Sequence, residues 1–497
     1  MTVVFLIAGL VAFLAAIRLM RAAAVAQDVV TTAQDALAVM TDPDLSEDAK
    51  ETAVRRASIR LVGRFVVIAG IGIAALAVAG AVVWSGAATG LYALDEALRV
   101  GAGWPFILLS SAGAVAAWIA LDRRARASGG DGAGEDRAAE VPYGPLDRAL
   151  HDLAFATPGQ QRQLAALETR LYRRRIGPVR AERPVFVTSL PRAGTTIMLQ
   201  MLARCPDLVS ASYRHMPFTL APLLWGGFSS AFRRSPEVSE RAHGDGIDVG
   251  VDSPEAFEEM VWMAFWPDHY QRDHIRPWPD DARDAEFEAF FRTHLAKVVA
   301  TDPAGQRYLS KNKANIARLG LLEAMHPDAC IVVPLRDPAA QVASLMRQHR
   351  RFLGLHARDP FARRYMEGLG HFEFGAALRP IAFDGSAPDP AGANDVDFWL
   401  RYWISAYDHV LSRAGGRAIL VDHDALCRDP LSGLEALGAA LDLDAPGALT
   451  DQAGTLRPPP PAPTLAGAQP DLMRQARELH AELRHRALVS ETAPRSA

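Results

Sequence analysis

Arg183-Pro-Val-Phe-Val-Thr-Ser-Leu-Pro-Arg-Ala-Gly-Thr-Thr-Ile-Met-Leu199 reads as a buried strand, a short glycine turn and the first turn of a helix. A chain that turns this tightly presents several backbone N–H groups at a helix N-terminus, and such loops bind phosphate. It is not a Walker A loop. That pattern needs a glycine at the position of Ser189 and a Gly-Lys pair where Gly194-Thr195 stand. Here the cation precedes the glycine, in Pro191-Arg192-Ala193-Gly194-Thr195-Thr196.

A second segment of the same kind lies far downstream. Cys330-Ile-Val-Val-Pro-Leu335 is a β-branched run ending at Arg336-Asp337-Pro338, and a helical segment, residues 339–350, follows with Ser344 inside it. An arginine at the carboxyl end of a strand offers a fork of donors to a phosphate, and Ser344 adds a hydroxyl from the next helix. Taken alone, a strand-end Arg-Asp pair reads as a structural salt bridge. Further strand-like runs precede helical ones at 307–310 before 316–325 and at 417–421 before 431–441. That alternation predicts an α/β fold, a parallel sheet flanked by helices, with ligands at the carboxyl ends of the strands. Both phosphate segments fall at such ends.

The two segments, in this order and at this spacing, resemble the donor-binding motifs of sulfotransferases that use 3′-phosphoadenosine 5′-phosphosulfate. Ala418-Ile-Leu-Val-Asp-His-Asp-Ala-Leu-Cys-Arg-Asp-Pro430 is similar to a strand, acidic turn and helix start of the same family, with Asp424 and Asp429 as caps and Pro430 in a first helical turn. The likeness runs from about 183 to 443 at its motifs. It implies that Arg192, Ala193, Gly194, Thr195 and Thr196 grip the 5′-phosphate and bridging oxygen, and that Arg336 and Ser344 hold the 3′-phosphate. It also implies a P-loop-like sulfotransferase core, the phosphosulfate as donor substrate and no metal. His423, between two aspartates, reads as a solvated turn rather than a metal ligand.

Candidates for the chemistry are fewer. The chain holds only Lys50, Lys297, Lys311 and Lys313 among its 53 basic residues, and two of these sit together just past a strand-like run. A compact ammonium kept in an arginine-preferring chain points to a catalytic Lys311 facing substrate or sulfuryl group, with a surface ion pair as the alternative. The family's Lys-x-Pro element is matched only in part, because Lys313 stands in place of the proline. A general base is harder to find. His215 titrates in the useful range. A buried structural histidine explains it nearly as well. The alternatives are Glu255 and Glu259, expected on one face of a helix capped by Ser253. His243-Gly-Asp-Gly246 reads as a loop able to close over substrate. The aromatic sets Trp262, Phe265, Trp266, Tyr270 and Trp399, Tyr402, Trp403 read as core before acceptor wall.

The front of the 497-residue chain has another character. Residues 65–84 carry no charge and are long enough to span a bilayer; 105–121 and 2–17 are shorter apolar runs. Three spans are expected over 1–121, with a cytoplasmic helical loop at 22–63 broken near Thr41, then a linker at 122–141 and the catalytic domain at 142–497. Gly70 with Ala74, and Ala75 with Ala79, are small residues suited to close helix packing. Arg18, Arg21, Arg55, Arg56, Arg60 and Arg64 flank the first loop, and Arg123, Arg124 and Arg126 follow the third run. Basic residues mark the cytoplasmic side, so the N-terminus is expected outside and the catalytic domain inside. A cleaved signal peptide fits poorly, since no basic residue precedes the first apolar run.

Net charge is −4, which argues against a general affinity for nucleic acid. Cys205, Cys330 and Cys427 have no metal-type spacing and suit reduced thiols. The prolines at 458–461 read as a spacer before a helix at 471–488. The expected activity is transfer of a sulfuryl group to a hydroxyl acceptor, the anchor suggesting a lipid, glycan or glycolipid. A phosphotransferase on a P-loop-like core competes, but the loop lysine and an acidic Mg²⁺ partner strand are missing. A non-catalytic membrane scaffold with a degenerate nucleotide pocket is the other alternative.

Overall fold

The computed structural model describes residues 2–20, 47–101, 151, 154–155, 158–232, 239–240, 248–249, 253–385, 388–413 and 418–489. The chain divides into two compact units, Met1–Glu135 and Asp136–Ala497.

The second unit is built on a five-stranded sheet. Its strands are β1 (Val185–Val187), β2 (Leu208–Ser210), β5 (Arg307–Lys311), β6 (Cys330–Leu335) and β7 (Ala418–Asp422); β3 (Ser239–Glu240) and β4 (Asp248–Val249) pair separately as a short antiparallel ribbon. The sheet order is β2-β5-β1-β6-β7, and every neighbouring pair in it is parallel. Successive side chains of a strand point to opposite faces, and here both faces are covered. Phe186, Tyr308, Ile331 and Val333 pack into one core with Phe287, Phe291, Val342, Trp399 and Trp403. Val185, Val187, Leu309, Val332 and Val421 pack into the other with Met198, Leu199, Leu434 and Leu437. Burial on both faces explains why these strands read as unbroken apolar runs.

Pro334 sits inside the central strand β6, where a proline would ordinarily break a ladder. Pairing of β6 with β1 stops at Val332, so no β1 residue stands opposite Pro334. The outer edge of β7 is closed by the tail after the helix Pro470–His485, with Asp422 N–H donating to Val489 O and Leu488 N–H to Leu420 O. Covering the edge removes a template for unwanted strand pairing.

The expected parallel sheet is present, with β2 as a strand the sequence reading lacked. The cap of the helix His423–Arg428 differs from expectation. Asp422, not Asp424, accepts from the amides of residues 424 and 425. Asp429 sits at the next N-cap without a side-chain cap bond, and Pro430 takes the first turn.

In the first unit the helix Thr2–Leu19 packs along the helix Glu47–Ala88, and Leu94–Gly101 follows. A Cβ on Gly9 would lie 3.0 Å from Val83 and 3.2 Å from the Ala79 carbonyl oxygen, so the two backbones approach closely there. Ala75 and Ala79 thus serve the helix contact, whereas Gly70 has open space around it. Of the three expected spans, the described residues bear on one. Among the described residues only Gly70–Ala88 is long and apolar enough to cross a bilayer, with mean hydropathy 2.0. Residues 2–17 lie in the helix Thr2–Leu19, and 105–121 lie outside the described residues, as do the linker at 122–141 and the loop at 243–246. The helix from Glu47 runs unbroken through Gly63 into the apolar stretch.

Candidate active site

The glycine loop stands at the carboxyl end of β1 and the helix Thr195–Leu202 begins at its end. Two residues of the loop have left-handed backbone, Arg192 at φ 69° and Gly194 at φ 93°. Gly194 is required twice over: a Cβ there would also lie 2.1 Å from Cδ2 of His423. Gln341, fully buried, holds the back of the loop by donating to the carbonyls of Pro191 (2.9 Å) and Leu190 (3.3 Å). Its own Oε1 accepts from Trp403 Nε1 and the Tyr407 hydroxyl. The loop is thereby fixed before any anion arrives.

The two distant phosphate motifs meet. Arg336 Nη1 donates to the Arg192 carbonyl at 2.9 Å, and Arg192 Nε donates to Ser344 Oγ at 3.0 Å. Arg336 leaves its Nε buried without a hydrogen-bond partner. A buried guanidinium N–H is costly to leave unsatisfied, and an anion at the loop would satisfy it. Asp337 caps the helix Pro338–Arg358 through the Ala340 amide. Its own amide donates to Asp424 Oδ2. Burial opposes the charge of Asp424, yet His423, the Asp337 amide and Arg336 hold its carboxyl below the usual range. Burial likewise opposes a charge on His423, but Asp424 and Cys427 raise it to about 9. His423 packs against the glycine loop, where the sequence suggested a solvated turn.

A cleft of about 340 Å³ opens beside the loop, lined by Pro191, Arg192, Thr195, Thr196, Glu255, Lys311, Lys313, His371 and Phe374. Lys311 Nζ, at the end of β5, donates to Glu255 Oε1 (2.8 Å) and Thr196 Oγ1 (3.2 Å). A second cleft of about 590 Å³ adjoins it and shares Pro191, Lys313 and His371. Its walls are largely apolar, with Ile275, Phe372, Ile381, Trp399 and Tyr402 among them. Trp399 and Tyr402 are therefore walls, whereas Trp262 is core, stacked on Arg318.

The three base candidates separate. His215 is buried in a 3-10 turn, where its Nδ1 accepts from the Ser212 amide and closes a capping box. It lines neither cleft. The expected helix over 255–259 begins only at Glu259, so Glu255 and Glu259 do not share a helical face. Glu255 points to Lys311 and the Tyr213 hydroxyl. Glu259 is taken by Arg318, Asn312 and Tyr270. Between them Glu258, which the sequence reading passed over, accepts from Tyr308, Ser310, Asn312, Asn315 and Trp262. It ties the end of β5 to the helix Glu259–Phe265.

The strap after the helix Pro360–Leu369 was also missed. His371 Nδ1 lies 3.4 Å from Glu373 Oε1, and Lys313 Nζ lies 2.9 Å from the same oxygen. Burial works against the charge of Glu373, but Lys313 and His371 hold it well below the usual carboxylate range. The strap is pinned from behind: the Gly375 amide donates to His349 Nδ1 and the Ala376 amide to His356 Nδ1. Both rings must keep that nitrogen unprotonated. Burial lowers His349 to about 4 and lowers His356 as well. Below about pH 6.5 the unfolded chain takes up protons that these folded rings refuse, so stability falls with pH. We expect the urea midpoint to drop between pH 6.5 and 4; a midpoint constant over that window would contradict the assignment.

Among the described residues no group of three or more His, Cys, Asp or Glu is arranged to hold a metal ion. Residues 184–375 match the model of the sulfotransferase family. No curated protein matches the chain. Among solved structures, sulfotransferase STF9 from Mycobacterium avium aligns at 16% identity, covering 70% of this chain and 87% of that one, with a TM-score of 0.41. Sulfotransferase STF1 from Mycobacterium tuberculosis aligns at 15% identity over 69% and 88%, with a TM-score of 0.38. The match over 184–375 takes in the glycine loop, Lys311, Arg336, Ser344 and the His371 strap, and over those residues this chain carries a sulfotransferase-family domain.

Proposed function

We propose that the protein transfers the sulfuryl group of 3′-phosphoadenosine 5′-phosphosulfate to a hydroxyl on an acceptor with an apolar body. The observation that carries the reading is the joining of Arg192, Arg336 and Ser344 at the glycine loop, beside a cleft that holds Lys311 and Thr196. A donor with phosphates at both ends of its ribose asks for two anion sites close together. The loop amides with Arg192 fit one, and Arg336 with its spare Nε fits the other. Lys311 and Thr196 lie where charge develops on the bridging oxygen as the sulfuryl group leaves, and fixed donors of that kind lower the barrier. The adjoining apolar cleft supports an acceptor that is a lipid or other apolar alcohol in preference to a glycan chain.

Anchoring is part of the same proposal. Ile73, Leu76 and Trp84 are more than 60% exposed on the apolar helix, an arrangement suited to lipid. Read with the three spans expected from the sequence, the arginine placement described above supports a cytoplasmic catalytic unit.

The test is calorimetric binding of 3′-phosphoadenosine 5′-phosphate to the full chain in detergent micelles, with and without Mg²⁺, beside ATP. We expect metal-independent binding of the bisphosphate with little affinity for ATP. A preference for ATP with magnesium would replace this reading by phosphotransfer. Binding of the bisphosphate without consumption of the phosphosulfate would favour a scaffold.

A further inference from the structure

We propose that His371, oriented by Glu373, is the base that takes the proton of the acceptor hydroxyl. The proposal rests on the transfer reading above, and no part of the sequence resemblance points to this residue. Three residues are common to the two clefts: Pro191, Lys313 and His371. Pro191 has nothing to titrate, and Lys313 directs its ammonium to Glu373 at 2.9 Å. His371 is thus the proton acceptor placed where a hydroxyl from the apolar cleft meets the donor cleft.

Its orientation is set by the carboxylate. Glu373 can only accept, so the contact at 3.4 Å assigns the imidazole N–H to Nδ1 and leaves the Nε2 lone pair for the cleft. The strap carrying both residues is held in place from behind by His349 and His356, and from the side by Arg379 over the Phe372 ring. The charged groups around the ring are Glu373 and Arg379 on its own strap, Lys313 from the end of β5, and Glu259 across Gly370. In the donor cleft it also faces Glu255, Lys311 and Arg192. The rival carboxylates are already engaged. Glu255 accepts from Lys311, Tyr213 and the Ala256 amide. Glu259 accepts from Arg318, Asn312 and Tyr270.

The step balances without an oxidant or reductant. The acceptor O–H bond breaks and its proton goes to His371 Nε2, while the oxygen's electron pair forms the new O–S bond. The bond from sulfur to the 5′-phosphate oxygen breaks, and its pair stays on that oxygen. The products are a sulfate ester, 3′-phosphoadenosine 5′-phosphate and an imidazolium that returns its proton to water.

The experiment uses the full chain in micelles with sulfur-labelled phosphosulfate, following transfer to 2-naphthol as the probe alcohol and to water. His371→Asn should lower turnover by about 10²–10⁴-fold, the usual contribution of a positioned base, while calorimetric binding of 3′-phosphoadenosine 5′-phosphate stays unchanged. Exogenous imidazole should restore turnover to His371→Gly. Glu373→Gln should lose less and shift the pH profile of kcat, which a purely structural role would not do. An undiminished rate in His371→Asn overturns the proposal, and a loss found instead in Glu255→Gln moves the base there. Wild-type protein that binds donor and transfers to neither probe also overturns it. Failure of the wild type to bind donor at all removes the transfer reading itself, and is told apart by the same calorimetry.

Discussion

Arg192→Ala is expected to lower kcat for sulfuryl transfer by about 10²–10³-fold, the range seen when one preorganised donor to a developing charge is removed. The side chain lines the donor cleft, its Nε reaches Ser344, and its carbonyl is the acceptor for Arg336. Truncation removes a charged donor from the loop without touching the backbone bond to Arg336, so the second arginine stays in position. Donor binding should therefore weaken less than turnover. Arg192→Lys restores a charge but not the planar fork that meets Ser344 and an oxyanion together, and should recover only part of the loss. Steady-state kinetics of both variants, with calorimetric donor binding alongside, checks this. Equal turnover in Arg192→Ala and wild type would take the loop out of the chemistry.

The proposed donor site is legible in the sequence because its parts are local. A strand, a glycine turn and a helix start are consecutive residues, and Arg336 with Ser344 repeats the pattern on β6. What the sequence did not carry is that these two segments bond to each other. That follows from β1 and β6 being neighbours in the sheet, and adjacency is not written in either strand. The proposed base was illegible for a related reason. His371 and Glu373 lie in a strap with no periodicity, and their partner Lys313 comes from the far side of an excursion of one helix, β6 and two more helices. Gln341, Trp403 and Tyr407, which hold the loop from behind, looked like ordinary residues of two amphipathic helices. His215 misled because a histidine beside a turn has two uses, and here it serves the backbone. The number of spans rests on hydropathy, which counts apolar residues without saying which helix packs on which.

Glu259→Ala is expected to destabilise the catalytic unit by about 3–5 kcal/mol, the cost of breaking a buried ion pair by removing one partner. The sequence offered Glu259 as a catalytic acid or base. In the fold its two oxygens accept from Arg318 Nη2 at 2.8 and 2.9 Å, and Asn312 Nδ2 lies 2.7 Å from one of them. Arg318 has no exposed surface and is stacked between Trp262 (4.1 Å) and Trp278 (3.9 Å). Without the carboxylate, a guanidinium is left charged between two tryptophan rings with its ion-pair partner gone. Thermal unfolding should fall by roughly 5–10 °C, scaling the free-energy loss to a large domain. A second substitution separates structure from catalysis. Arg318→Met in the Glu259→Ala background removes the stranded charge and keeps an apolar side chain between the tryptophans, so much of the loss should be regained. If the double variant is no more stable than Glu259→Ala, the pair is not what fixes Glu259 in place. If instead Glu259→Ala melts like wild type and loses turnover, the carboxylate acts on substrate, and the base belongs there after all.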